Sequence, residues 1–138
     1  MNIEAFIALI IVSTLFFIVF IFFYVDMKKK MSLLGIEKTQ VPIFFYNNLG
    51  ARIDLLNLTY PFVRLSVYKN FFVISYSKKL VFMKEEVLEI KMISGGLSSG
   101  VQIIHNKNTI PKKIIIWTSN PKKLCKEFFN ASYNVKTI

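Results

Sequence analysis

An uninterrupted apolar run near the start restricts this chain more than any other feature. Residues 5–25 carry no charged side chain and read Ala-Phe-Ile-Ala-Leu-Ile-Ile-Val-Ser-Thr-Leu-Phe-Phe-Ile-Val-Phe-Ile-Phe-Phe-Tyr-Val. As a helix this run is about 31 Å long, the thickness of bilayer hydrocarbon. Apolar side chains surround it without an amphipathic stripe, which argues against a core helix of a soluble domain. A cleaved signal would need a positive n-region, a shorter apolar core and a small-residue cleavage site. Here Asn2 and Glu4 precede the run, and Asp26-Met27-Lys28-Lys29-Lys30 follows it. The expectation is a retained transmembrane helix, with Ser13 and Thr14 returning their hydroxyl protons to carbonyls of the same helix.

Charge sets the expected orientation. No Lys or Arg precedes the run, whereas Lys28, Lys29, Lys30 and Lys38 follow it. By the positive-inside rule the N-terminus faces outward and the remainder lies in the cytoplasm, at the plasma (inner) membrane. Tyr24 and the lysine triplet anchor the cytoplasmic boundary. The formal net charge is +10, and beyond Met31 there are 15 Lys or Arg against 6 Asp or Glu, so the soluble part holds nearly all of the excess. A basic domain held at a membrane is drawn to anionic lipid; tethering there points away from nucleic acid as a partner. The single Cys125 excludes an intramolecular disulfide, in keeping with a reducing compartment, and reads as a small core residue. In that topology the sequons at Asn57 and Asn130 carry no sugar.

Residues 1–30 thus form the anchor and residues 31–50 a juxtamembrane connector. That connector is too apolar for a free linker, yet Gly35, Pro42 and Asn47-Asn48 interrupt any long helix; it is expected to lie at the interface or hug the domain. From Tyr60 onward the chain reads as strands: Val63, Leu65 and Val67 alternate with Arg64, Ser66 and Tyr68, and short apolar runs between turn residues follow. Strands are expected at Val63 to Tyr68, Phe71 to Tyr76, Leu80 to Met83 and Leu88 to Met92, joined by turns at Lys69-Asn70, Ser77-Lys78-Lys79 and Lys84-Glu85-Glu86. Four such strands in succession imply an antiparallel meander. Residues 94–100, with three of the five glycines, are expected to be a flexible loop; Val101 to His105 and Lys113 to Trp117 complete six strands. Asn120-Pro121 marks a helix start, and Leu124, Cys125, Phe128 and Phe129 give a helix of about 12 residues one apolar face.

This order of elements resembles bacterial membrane-anchored proteins with a pleckstrin-homology-like (PH-like) domain. The segments Pro61-Phe62-Val63-Arg64-Leu65-Ser66-Val67-Tyr68, Gly100-Val101-Gln102-Ile103-Ile104-His105 and Trp117-Thr118-Ser119-Asn120-Pro121 carry the resemblance, which covers about residues 51–133. It implies an N-terminal transmembrane α-helix plus a mainly-β domain over residues 51–138, an antiparallel barrel or sandwich capped by a C-terminal α-helix. Such domains bind lipid headgroups, peptides or proteins, and the fold alone does not say which. The resemblance suggests Arg64 and Lys69 at the first hairpin and Lys78 and Lys79 one turn later as contacts, a sparser set than the basic motif of inositide-binding members.

The residues themselves suggest a second group, Lys112-Lys113 with Lys122-Lys123. Lys122 and Lys123 oppose the helix dipole, and with the free amides of the helix start they could hold a phosphate or carboxylate. Catalysis is not expected. His105 stands alone at a strand end, Glu85, Glu86 and Glu89 read as a solvated turn and strand face, and Trp117 reads as core. No metal or other cofactor is implied. The leading expectation is a membrane-anchored interaction module that binds the anionic membrane surface or a protein partner. The other is a structural or accessory subunit of a larger membrane complex, with a helix packed among others.

Overall fold

The computed structural model describes residues 2–30, 34–95 and 98–136. Helix α1 (Ile3–Lys30) contains the apolar run, whose segment Ala5–Asp26 has a mean hydropathy of 3.1 and is not buried in the protein. A long, exposed apolar helix near the N-terminus suits a membrane anchor or a signal sequence. The Ser13 and Thr14 hydroxyls donate to the Ile10 carbonyl at 2.9 and 2.8 Å, so neither is left unsatisfied in an apolar setting.

A four-residue helix, α2 (Gly35–Lys38), leads into the β domain. Its strands are β1 (Phe44–Ile53), β2 (Leu56–Val67), β3 (Phe71–Ser75), β4 (Lys79–Met83), β5 (Val87–Gly95), β6 (Ser98–His105) and β7 (Ile114–Trp117). Helix α3 (Pro121–Asn130) and the two-residue β8 (Val135–Lys136) follow. All eight strands form one sheet in the order β4-β3-β2-β1-β7-β6-β5-β8, antiparallel throughout except for β5 against β8. Each of the six expected strands is present, and α3 begins at the expected Asn120-Pro121 start and spans 10 residues.

Three local expectations change. The expected meander keeps only its first three strands, β2 to β4, with β1 added before them, because a 3-10 turn at Lys84–Glu86 carries the chain to the other end of the sheet and β5 pairs with β6 instead of β4. Residues 94, 95 and 98–100 are not loop but strand, Gly95 pairing with Ser98; Gly96 and Leu97 lie outside the described residues. At Gly100 the glycine serves close approach, since a Cβ there would stand 2.5 Å from the Ile116 carbonyl oxygen and 2.9 Å from the Trp117 ring. Finally, residues 44–50 of the expected connector belong to β1. Asn47-Asn48, read as a chain breaker, is a bulge where the β1–β2 register shifts, with Asn48 at φ 60°. Beyond the bulge, Ala51 to Ile53 pair with β2 along one edge of β1 and with β7 along the other.

One face of every strand from β1 to β7 feeds a single core. Leu49, Val63, Leu65, Phe72, Phe82, Ile90, Ile103, Ile114 and Ile116 meet Leu124 and Phe128 of α3 there. One sheet can surround one core only by wrapping, and its β4 end does approach the other half: the rings of Phe82 on β4 and His105 on β6 are 4.9 Å apart. A second, smaller cluster of Tyr68, Phe71 and Val73 lies apart from it, with Leu34 of the connector packed against it.

Candidate functional site

The helix end of the domain carries the site. Asn120 accepts the Lys123 amide at 3.0 Å and Pro121 occupies the first turn, which fixes where α3 starts. With Leu124 and Phe128 turned into the core, i,i+4 spacing leaves two flanking rows, Cys125 with Phe129 and Lys122 with Lys126. After α3 the chain reverses and returns beside β5, where Val135 and Lys136 pair with Ile90 and Lys91. Between these elements lies a groove of about 390 Å³. Met92, Cys125, Phe129 and Val135 line it with apolar surface, Lys122, Lys126 and Lys136 add the charge, and no carboxylate is among the lining residues.

Two features of the groove run against folding economy. Phe129 is 64% exposed, a large apolar ring left in contact with water while its helix neighbours Leu124 and Phe128 are buried. Lys122 and Lys126 repel one another at i,i+4 spacing, and nothing acidic stands in the first turn to offset them. Burial pushes the Cys125 thiol above its ordinary value, in keeping with its place in the apolar lining.

No protein-family model matches the sequence, and no curated protein matches it. The site therefore rests on its own geometry.

The expected contacts separate into different places. Arg64 is withdrawn from the surface: it is 8% exposed, and its guanidinium nitrogen Nη2 lies 2.8 Å from both oxygens of Glu37, itself 2% exposed. Arg64 lies on the face of β2 turned away from the core residues Val63 and Leu65, and there α2 covers it through Glu37. The same Glu37 accepts from the Tyr68 hydroxyl at 3.1 Å and the Leu34 amide at 2.7 Å, and Arg64 also reaches the Ser75 hydroxyl at 3.2 Å. Lys69 is exposed in the β2–β3 turn; Lys78 and Lys79 lie at the β3–β4 turn. Lys112 and Lys113 are exposed beside the β1–β2 hairpin, where Asp54 donates its amide to the Lys113 carbonyl at 2.9 Å. They precede β7, whereas Lys122 and Lys123 come after it, so this strand separates the two pairs. Lys122 instead joins Lys126 and Lys136 at the groove. The expected boundary residue Tyr24 lies on α1, and Lys28, Lys29 and Lys30 close that helix; the side chains of these three lysines lie outside the described residues.

Sequence reasoning missed Lys126, Lys136 and Glu37. Lys126 was legible as the i+4 neighbour of Lys122, but Lys136 joins only through the return of β8. Of the acidic cluster, Glu86 has a structural task. Glu86 accepts the Met83 amide at 2.8 Å and pairs with Lys107 at 3.0 Å. Both His105 nitrogens are engaged, Nδ1 accepting the Lys107 amide at 3.2 Å and Nε2 facing the Pro111 carbonyl at 3.0 Å. Trp117 is half-buried, on the outer side against Gly50 and Gly100. Among the described residues no group of three or more His, Cys, Asp and Glu side chains is placed to hold a metal ion.

Proposed function

We propose that this protein is a single-pass membrane-anchored interaction module, whose PH-like domain lies on the cytoplasmic side and holds an acidic, membrane-resident protein partner on the α3–β5–β8 groove. The exposed apolar helix and the lysine triplet after it support the anchor and its orientation. The PH-like assignment draws support from the strand order, in which β1 to β4 are consecutive neighbours, β7 returns beside β1 and α3 packs over the core.

The groove carries the reading. An apolar trough containing an exposed Phe gains when a partner's apolar side chain covers it, and three lysines with no acid select a negatively charged one. Confinement to one membrane raises the effective concentration of both molecules, so a modest contact surface suffices.

A photo-crosslinking residue in place of Phe129 in the full-length protein tests this in native membranes. A discrete adduct is expected, lost at high salt and in the Lys122→Glu/Lys126→Glu variant; absence of any adduct at low salt would refute the partner. For the anchor, the chain is expected to stay with sedimented vesicles through an alkaline carbonate wash. Protease added outside intact cells should leave the β domain whole.

A further inference from the structure

The connector exposes an apolar face that neither the core nor the groove explains. Ile36, Val41, Ile43 and Phe45 are all exposed, Val41 by 89% and Phe45 by 58%. Where β1 begins the alternation is plain: Phe44 and Tyr46 pack against the core, so Phe45, and Ile43 just before the strand, point the other way. Thr39, Gln40 and Asn47, interleaved with them, are exposed and uncharged.

Charge on this stretch is one-sided. Between Asp26 and Asp54 the only acidic residue is Glu37. It is turned inward and neutralised by Arg64, which leaves Lys38 as the one charged residue of α2 on the outside. The buried pair thus fixes which side of the connector faces outward and removes the one charge that anionic headgroups would repel.

Chain length limits what can cover this face. Ile36 follows Lys30 by six residues, so at most about 20 Å of chain separates it from the end of α1. The β domain also touches that helix directly, since Phe62 of β2 meets Phe23 edge-on with ring centroids 6.0 Å apart. Phe23 belongs to the apolar segment itself.

We infer that the face formed by Ile36, Val41, Ile43 and Phe45 lies in the headgroup layer of the bilayer, as a second, peripheral attachment beside the spanning helix. This rests on the membrane-anchored reading above. Apolar side chains enter the headgroup boundary, and Lys38 meets anionic headgroups there. The domain is then held in one orientation instead of swinging on a tether, and the groove on α3 is presented at a fixed attitude.

The test uses the full-length protein in nanodiscs containing anionic lipid, in a Cys125→Ser background. An environment-sensitive fluorophore is attached in turn at Val41→Cys, Phe45→Cys and, as a control, Leu55→Cys. Leu55 is also exposed and apolar but sits in the hairpin at the far end of β1. At positions 41 and 45 the emission is expected to shift to the blue and to be lost to brominated lipids, with neither effect at position 55. If 41 and 45 report water while the chain resists carbonate extraction, this proposal fails and the anchor stands. Blue-shifted emission that brominated lipids do not quench means that a second copy or another protein covers the face, and also overturns it. Equal quenching at position 55 removes the claim that one face is chosen. Release by carbonate sinks both readings.

Discussion

Glu37 and Arg64 stand 27 residues apart in sequence and meet with no more than a tenth of either side chain in contact with water. Taking both charges out of water costs several kcal/mol each, and the attraction between them roughly offsets it when the remaining hydrogen bonds are satisfied. Glu37 is well served by Tyr68 and Leu34, whereas Arg64 Nε has no partner among the described residues. The pair therefore specifies where α2 docks more than it adds stability. Burial, and then the Glu37 charge, also push the Tyr68 hydroxyl above its ordinary value, which keeps it a donor. Leaving either charge alone is a different matter. Glu37→Leu is expected to destabilise the domain by about 3 kcal/mol and Arg64→Met by a similar amount, whereas the double variant should return to within about 1 kcal/mol of the parent. Chemical unfolding of the four proteins in mild detergent measures this; simple additivity of the two single losses would show that the side chains do not act as a pair.

Among the elements, α3 shows how far local chemistry reaches. Its start was legible because Asn and Pro act within one turn. Its end was not, because it is a Schellman turn made without glycine: Tyr133 donates to the Phe128 carbonyl at 3.0 Å, Ser132 to that of Phe129 at 2.8 Å, and Ser132 sits at φ 62°. The packing that accompanies such a turn is present, with the Phe128 and Tyr133 rings 5.5 Å apart. Ser132→Gly removes the Cβ from a left-handed position at some cost in unfolded-chain entropy, for an expected net gain of about 0.5 to 1 kcal/mol. Thermal unfolding of the β domain should then shift upward by about 3 to 6 °C, and no shift would mean that Ser132 carries no strain. The same contrast separates what could be read elsewhere. Strands β2 and β5 announced themselves by alternation, and β3, β4, β6 and β7 by short runs of β-formers between turn residues; both signals are local. Strand β1 did not, because Asn47-Asn48 and Gly50 carry the marks of a break while serving as a bulge and a close approach to Trp117. The groove was half legible for a similar reason: Lys122 and Cys125 lie on one helix, but Met92, Val135 and Lys136 reach it only through pairings distant in sequence.

At the scale of the molecule, a sheet that wraps round one core must also manage the seam where its ends meet. Strand β4 is an edge, and an edge carbonyl facing a partly buried seam needs a donor. Lys107, from the loop after β6, donates to the Val81 carbonyl at 3.1 Å and pairs with Glu86 at 3.0 Å, so one ammonium joins β4, the 3-10 turn and the β6–β7 loop. The adjoining backbone helps, with Asn106 donating to the Glu86 carbonyl at 3.0 Å and Lys84 to that of Asn70 at 2.9 Å. Burial would push the Glu86 carboxyl up, but the Met83 amide, Lys107 and His105 together hold it below its ordinary value of 4.5. A carboxylate whose folded pKa is depressed contributes stability that is fully present above the unfolded value and is lost as pH falls through the folded one. Stability should therefore decline from about pH 5 downward. In Lys107→Met the neutral-pH stability should drop by about 0.5 to 1 kcal/mol, since the pair is a quarter exposed. The acid limb should become shallower, because part of what lowers the Glu86 pKa is gone. Unfolding midpoints measured from pH 3 to pH 8 for both proteins decide it, and parallel acid limbs would mean that Lys107 closes the seam through Val81 alone.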